Sequence, residues 1–328
     1  DGREVGVHFA VSADRPQAIP NSIAASFQRK VVLRLTDEDA YLYFNLPRDV
    51  LSASSAPGRA MQVGNPNLLQ LPILGTNVTD FAQAREIESL AGTRYMRQRT
   101  RPAPIRSLPL DIPAREVDLT VDGRPVIGVE AGSLAPMPLR PAGTVAITGP
   151  AQSGRTNTVR WLARSVHRAF PNAVMLHASA RRSLVAREPL WTETAQGADK
   201  IASMLMKHAH LFEEEAPAGA PGVVLFVEGI GEFSFSACDQ QLQDAIASSK
   251  ANGHLVVAEA DVSGWSFGGS LASGVRSGRT GIVLCPSPGE GENAVGVAVP
   301  GVSGREAVPG RGYFVQSGKQ WKVQVPRV

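Results

Sequence analysis

Hydrophobic residues recur at two spacings along this chain, and the change from one to the other marks its elements. From residue 144 onward, uninterrupted apolar runs alternate with stretches whose apolar residues return every three or four positions. The runs are TVAIT (144–148), AVMLH (173–177), VVLFVEG (223–229), LVVAE (255–259) and IVLC (282–285), which predict strands buried on both faces. Between them, three sets predict helices: Val159, Leu162, Ala163, Val166 and Phe170; Ile201, Leu205, His208 and Phe212; Leu242, Ala245 and Ile246. Pro171 and Asn172 stop the first helix, and Gly253 stops the last. Strands and helices in this order predict an α/β fold, a parallel sheet covered by helices. Ahead of them, residues 116–130 predict a hairpin, with Asp122-Gly123 as its two-residue turn.

The upstream part repeats pieces of this pattern. GVHFAVSADR (6–15) lies without gaps on GHLVVAEADV (253–262), VVLRL (31–35) answers IVLC (282–285), and PGRAMQV (57–63) answers PGRGYFV (309–315). A last strand follows each, LLQL (68–71) and WKVQV (321–325). Four elements in the same order at near-equal spacing predict a tandem array of large modules. Residues 1–78 are accordingly expected to be the last third of a domain like the second, its own glycine loop upstream, within a longer polypeptide. Residues 79–106 are expected to be a helix and linker. Phe81, Ala84, Ile87 and Leu90 share one face of that helix, Asp80 caps it and Gly92 stops it. Residues 107–328 are expected to form one complete, degenerate domain of this kind.

Composition narrows the function classes. Apolar residues at 43% and charged residues at 19% fit a folded globular chain, and a net charge of +3 is too small to argue for nucleic acid. The five arginines between Arg94 and Arg106 lack interleaved aromatics and read as a solvated linker. Cys238 and Cys285 show no metal spacing and read as free thiols, and no apolar run reaches the roughly 18 residues of a membrane span. His8, His167, His177, His208, His210 and His254 form no metal-like cluster and read as structural.

The chemistry concentrates in GPAQSGRTNT (149–158), between a predicted strand and a predicted helix. Gly149 and Gly154 have the spacing of a phosphate-binding loop, whose backbone N–H groups close around a polyphosphate at a helix N-terminus. Gln152, Ser153, Gly154, Arg155, Thr156 and Asn157 are the remaining candidate nucleotide-binding residues, with Thr156 as the hydroxyl toward Mg²⁺. Arg155 stands where the loop's lysine belongs, keeping the charge on a bulkier planar fork. Glu228 ends a buried strand, either as the carboxylate that holds Mg²⁺ through water or as a surface carboxylate. Beside it, Gly229 offers no proton acceptor where a water-activating carboxylate is commonly found, and Glu232 is not read as its substitute. In the echo, Arg15 of SADRP follows a predicted buried strand and is placed to sense a γ-phosphate, while Val262 holds the matching place in EADVS. Three departures at three positions predict an ATPase fold that has lost hydrolysis.

The loop GPAQSGRT, the strand VVLFVEG, the segment PVIGVEAGSLAPMPL (125–139) and the closing PGRGYFV together resemble the FtsK/SpoIIIE ATPases. SADRP is similar to that family's strand-end T-Q-R-P, and SAPGRAMQV to its Pro-Gly-Arg ending. The tandem, degenerate arrangement most resembles the EccC/EssC motors of type VII secretion, with multidomain actinobacterial FtsK/SpoIIIE proteins carrying a forkhead-associated domain as a relative of that pattern. The resemblance implies a RecA-like P-loop fold, ATP and Mg²⁺ as cofactors, and a cytoplasmic region of a membrane-anchored protein with several ATPase modules. It further implies that upstream modules of the same polypeptide hydrolyse ATP, that the intact protein oligomerises, and that the last module binds the signal of a secreted protein and regulates the motor. The alternative is an active DNA translocase, for which neither a working hydrolytic site nor a DNA-reading domain is evident.

Overall fold

Alternation along the strands decides how the second half of the chain packs. A computed structural model describes residues 6, 8–65, 67–95 and 106–328. The chain divides into two compact units, Asp1–Pro104 and Ile105–Val328.

Unit 1 is built on a small antiparallel sheet of β1 (Val31–Leu33), β2 (Arg59–Gln62) and β3 (Leu68–Gln70). Its core gathers Val32, Tyr41, Leu46, Leu51 and Met61, and the Tyr41 hydroxyl accepts the Leu35 N–H at 2.8 Å. Its described residues also form the helices α1 (Asn21–Ala24) and α2 (Asp80–Tyr95). Helix α2 runs past Gly92, because one glycine weakens a helix without ending it. Thr79, not Asp80, supplies a side-chain oxygen to its first turn, at 3.4 Å from the Ala82 nitrogen. Its expected buried face, with Phe81 75% and Ile87 58% exposed, stays open to solvent. The linker between 96 and 105 lies outside the described residues.

Unit 2 carries an 11-stranded sheet. Its strands are β4 (Thr120–Val121), β5 (Arg124–Glu130), β6 (Pro136–Pro138), β7 (Gly143–Thr148), β8 (Val174–Ser179), β9 (Glu193–Gln196), β10 (Val223–Glu228), β11 (Leu255–Glu259), β12 (Thr280–Leu284), β13 (Arg311–Gln316) and β14 (Lys319–Gln324). The order β9-β8-β10-β11-β7-β12 is parallel throughout, as the apolar runs predict. Strands β13, β14, β5, β4 and β6 extend it with antiparallel pairings. The β4–β5 hairpin turns at Asp122 (φ 49°) and Gly123 (φ 71°), the two positive φ values of a type I′ turn.

Successive side chains of the buried strands go to opposite faces. Val145 and Ile147 of β7, with Val224 and Phe226 of β10, pack under helix α3 (Arg155–Ala169) through Val159, Leu162 and Val166. Ala146, Leu225 and Val227 point the other way, under α4 (Ala198–Glu213), α5 (Asp239–Asn252), α6 (Val262–Phe267), α7 (Gly269–Arg276) and α8 (Glu292–Val295). Trp161 of α3 is buried and donates its indole N–H to the Val126 carbonyl at 2.8 Å, which ties the helix to β5.

The two units share a hydrogen-bond pattern. Val31, Val32 and Leu33 face Gln62, Met61 and Ala60, while Ile282, Val283 and Leu284 face Phe314, Tyr313 and Gly312. Arg59 pairs with Gln70 as Arg311 pairs with Gln324. The Gln70 amide donates to Pro57 O at 2.8 Å and Leu71 O at 3.2 Å; that of Gln324 donates to Pro309 O at 2.9 Å and Val325 O at 3.2 Å. Leu71 N–H meets Gly58 O, and Val325 N–H meets Gly310 O, both at 2.8 Å. The echo in sequence is thus an echo in register.

Among the described residues of 6–15, the predicted strand does not form. Residues 8–13 are irregular, and Arg15 is exposed ahead of a short turn at Pro16–Ala18. Its counterpart β11 is held between β10 and β7, and the described residues of unit 1 contain no equivalent of either. Without a ladder on each side the apolar run has nothing to pair with. His8, expected in a strand, is exposed there too.

Candidate functional site

The carboxyl ends of β8, β10 and β11 open on one cleft of about 730 Å³. Ligand sites of parallel α/β sheets lie at this edge. The first residues of α3, Arg155 and Thr156, form one wall, directly after the glycine loop. Gly149 begins that loop, where a Cβ would stand 2.6 Å from Ser153 Oγ and 2.7 Å from Leu284 O. Gly154, at φ 95°, is the N-cap of α3, and a Cβ there would meet Gly310 N at 2.8 Å. The loop packs that tightly because Gly310 N–H, from the Pro-Gly-Arg turn, donates to Ser153 O at 2.8 Å. No side chain caps α3, and Ser153 Oγ is buried without a partner in the loop. A cradle of backbone N–H groups with an unsatisfied hydroxyl fits a phosphate.

The side chains fit it less well. Arg155 turns to Glu259 at the end of β11, with Nη1 2.7 Å from Oε1. Both side chains are largely buried, at 24% and 13% exposure. Glu259 accepts the Gly229 N–H on Oε2 at 3.3 Å as well. Burial pushes the Glu259 carboxyl above its ordinary range; Arg155 draws it down, and the neighbouring Glu228 adds to the rise.

Glu228 is occupied in its turn. Its Oε1 is bonded to His177 Nε2 at 2.7 Å and accepts the Ser183 hydroxyl. His177 is fully buried and packs on Trp191 at a centroid distance of 5.0 Å. Glu228 therefore serves as the acceptor that pins the loop after β8, which carries Arg181 and Arg182 into the same cleft. That loop is also fastened to α3, where Glu188 takes Arg160 and Arg164 at 2.7–2.9 Å.

Of the remaining sequence candidates, Thr156 is exposed and faces the cleft. Gln152 is exposed at φ 64° on the outer bend of the loop. Asn157 commits its side chain to the other end of the chain, donating to Pro326 O and accepting from Val328 N–H, both at 2.8 Å. Only its backbone is left for the loop. Glu232 meets Arg181 at 3.2 Å on the cleft rim, and Val262 opens α6. Arg15 belongs to unit 1.

Glu259, Asp261, His177, Ser183, Arg181 and Arg182 were not read as site residues from sequence. Glu259 carries the signal by which Glu228 was read, since both end apolar strands, and these are neighbours in register. Among the described residues no group of three or more His, Cys, Asp or Glu is placed to hold a metal ion, and no helix is long and apolar enough to cross a membrane. Cys238 is buried, Cys285 is half-buried, and burial pushes both thiols up.

No protein-family model matches the chain. Over an alignment of 358 positions it is 24% identical to the ESX secretion system protein YukB of Bacillus subtilis, covering 99% of this chain and 23% of that protein. In structure it is similar to ATPases 2 and 3 of EssC from Geobacillus thermodenitrificans, with a TM-score of 0.61 and 20% identity over 96% of this chain and 63% of that one. It is also similar to ATPases 2 and 3 of Thermomonospora curvata EccC, solved in complex with a signal sequence peptide, with a TM-score of 0.60 and 20% identity over 94% of this chain and 60% of that one. The chain spans under a quarter of the curated relative and less than two thirds of either structure. The resemblance to EssC and EccC read from motifs extends over nearly the whole chain in sequence and fold, and the fold is that of their RecA-like P-loop ATPase domains.

Proposed function

We propose that this chain is part of a type VII secretion-like motor, and that unit 2 is a degenerate ATPase module that regulates the motor without hydrolysing ATP. The ion pair between Arg155 and Glu259 carries the reading. A loop cation held 2.7 Å from a protein carboxylate is not aimed at a γ-phosphate, and phosphoryl transfer depends on such positioning. Glu228 is held by His177 and Ser183, and Gly229 supplies no general base. ATP is read as a structural ligand of the loop backbone, with Thr156 as the hydroxyl toward Mg²⁺.

Unit 1 is read as the end of a preceding module of the same polypeptide, on the strength of the shared register and glutamine bonds. The pairing of Arg155 with Glu259 and of Glu228 with His177 and Ser183 favours a sensor over a catalyst. Recognition of an export signal, a cytoplasmic position in a membrane-anchored parent and assembly of that parent into an oligomer are inferred from likeness to EssC and EccC.

Steady-state phosphate release from ATP-Mg²⁺ tests the reading. The purified chain is expected to show no turnover above a buffer blank. Turnover that Thr156→Ala abolishes would make unit 2 an active motor domain and overturn it.

A further inference from the structure

We propose that Glu259 is a built-in competitor for the anion subsite of the glycine loop, so that this carboxylate, more than the arginine in the lysine position, sets how tightly the module holds a polyphosphate. The inference rests on the reading of the cleft as a phosphate site.

The geometry makes the carboxylate a ligand already in place. β11 lies between β7, which feeds the loop, and β10, which ends in Glu228. From that central position Glu259 reaches Arg155 at 2.7 Å with one oxygen and the Gly229 N–H at 3.3 Å with the other. Gly229 N–H also donates to the Glu259 carbonyl at 2.9 Å, so backbone and side chain of Glu259 share one donor. The carboxylate thus spans the loop and the turn after β10.

An incoming polyphosphate meets two obstacles there. It must take Arg155 from a partner that is mostly desolvated. It must also approach Glu259, Glu228 and Asp261, which line the same cleft and repel it. Arg181 and Arg182 line the cleft as well, and Arg181 is bonded to Glu232 at 3.2 Å. The loop itself is ready for an anion, with Ser153 Oγ buried and unpartnered. Exchanging arginine for lysine leaves Glu259 where it is, to pair with the new ammonium.

Calorimetric titration of the full chain with inorganic pyrophosphate, and separately with ATP-Mg²⁺, tests this. Glu259→Gln is expected to bind pyrophosphate about tenfold tighter or more than the unaltered chain, since the competitor that keeps most of the site closed is gone. Arg155→Lys, with Glu259 intact, is expected to stay within about threefold of the unaltered chain. Glu259→Ser removes the carboxylate without supplying an amide and carries the same expectation as Glu259→Gln, with circular dichroism checking both folds. Unchanged affinity in the two Glu259 variants, or a full gain from Arg155→Lys alone, would overturn the proposal. Phosphate release is followed in the same samples. Hydrolysis by the unaltered chain would refute the silent-module reading while leaving the competitor proposal in place, and unchanged affinity without hydrolysis does the reverse.

Discussion

Arg311→Ala is expected to destabilise unit 2 by about 3–5 kcal/mol, while Arg59→Ala costs unit 1 less than about 1 kcal/mol. Both arginines occupy the same place in a Pro-Gly-Arg turn with the same strand register. Their surroundings differ. Arg311 is 1% exposed, and burial draws its guanidinium below the usual arginine range. Nε donates to Gln324 Oε1 at 2.9 Å, and Nη2 to Leu108 O at 3.2 Å and Pro109 O at 2.6 Å. Alanine would strand three acceptors in a dry site and leave a cavity, each a recognised source of large losses. Arg59 is half-buried and has no side-chain partner among the described residues. Because Gly310 also holds Ser153 O, loss of Arg311 is expected to loosen the glycine loop along with β13 and β14. All four tryptophans lie in unit 2, so urea unfolding followed by their fluorescence reads the Arg311 effect. Amide exchange over residues 59–62 reads the other, and equal costs would show that the motif and not the strap at 108–109 sets stability.

The contrast shows what local pattern carries and what it leaves out. The glycine loop, its strand and its helix were legible, since spacing, glycines and apolar period lie within one short stretch. The shared register of β1–β3 with β12–β14 was legible too, because register follows from the order of apolar pairs. The partner of Arg155 was not, as Glu259 stands 104 residues away and meets it only once β11 enters between β7 and β10. Nor was the anchoring of Glu228 by His177 and Ser183, 51 and 45 residues away. The strand expected before Arg15 failed for a related reason: its apolar residues were read correctly, but a strand also needs neighbours. The antiparallel extension of the sheet by β5 and β14 joins segments almost 200 residues apart, beyond the reach of any local period.

Arg155→Ala is expected to cost little near pH 5 and about 2–3 kcal/mol by pH 8, below the usual loss for a broken buried pair because the cleft admits some water. The groups facing Glu259 are Arg155 from α3, Glu228 from β10, Asp261 from its own turn and the Gly229 amide. Burial already holds the Glu259 carboxyl above its ordinary range, and Arg155 is the chief counterweight. Without it, the folded value rises further above the unfolded one. A carboxyl of this kind binds its proton more tightly in the native state. Its contribution is therefore complete below the unfolded pKa and is lost as pH rises through the folded pKa. Melting temperatures of the two chains should converge in acid and separate toward pH 8, with Glu259→Gln in the Arg155→Ala background closing most of the gap. A constant separation across pH would mean that Arg155 stabilises by packing alone. Separation with pH would mean that the loop's cation is held by the protein's own carboxylate, Glu259, across the cleft.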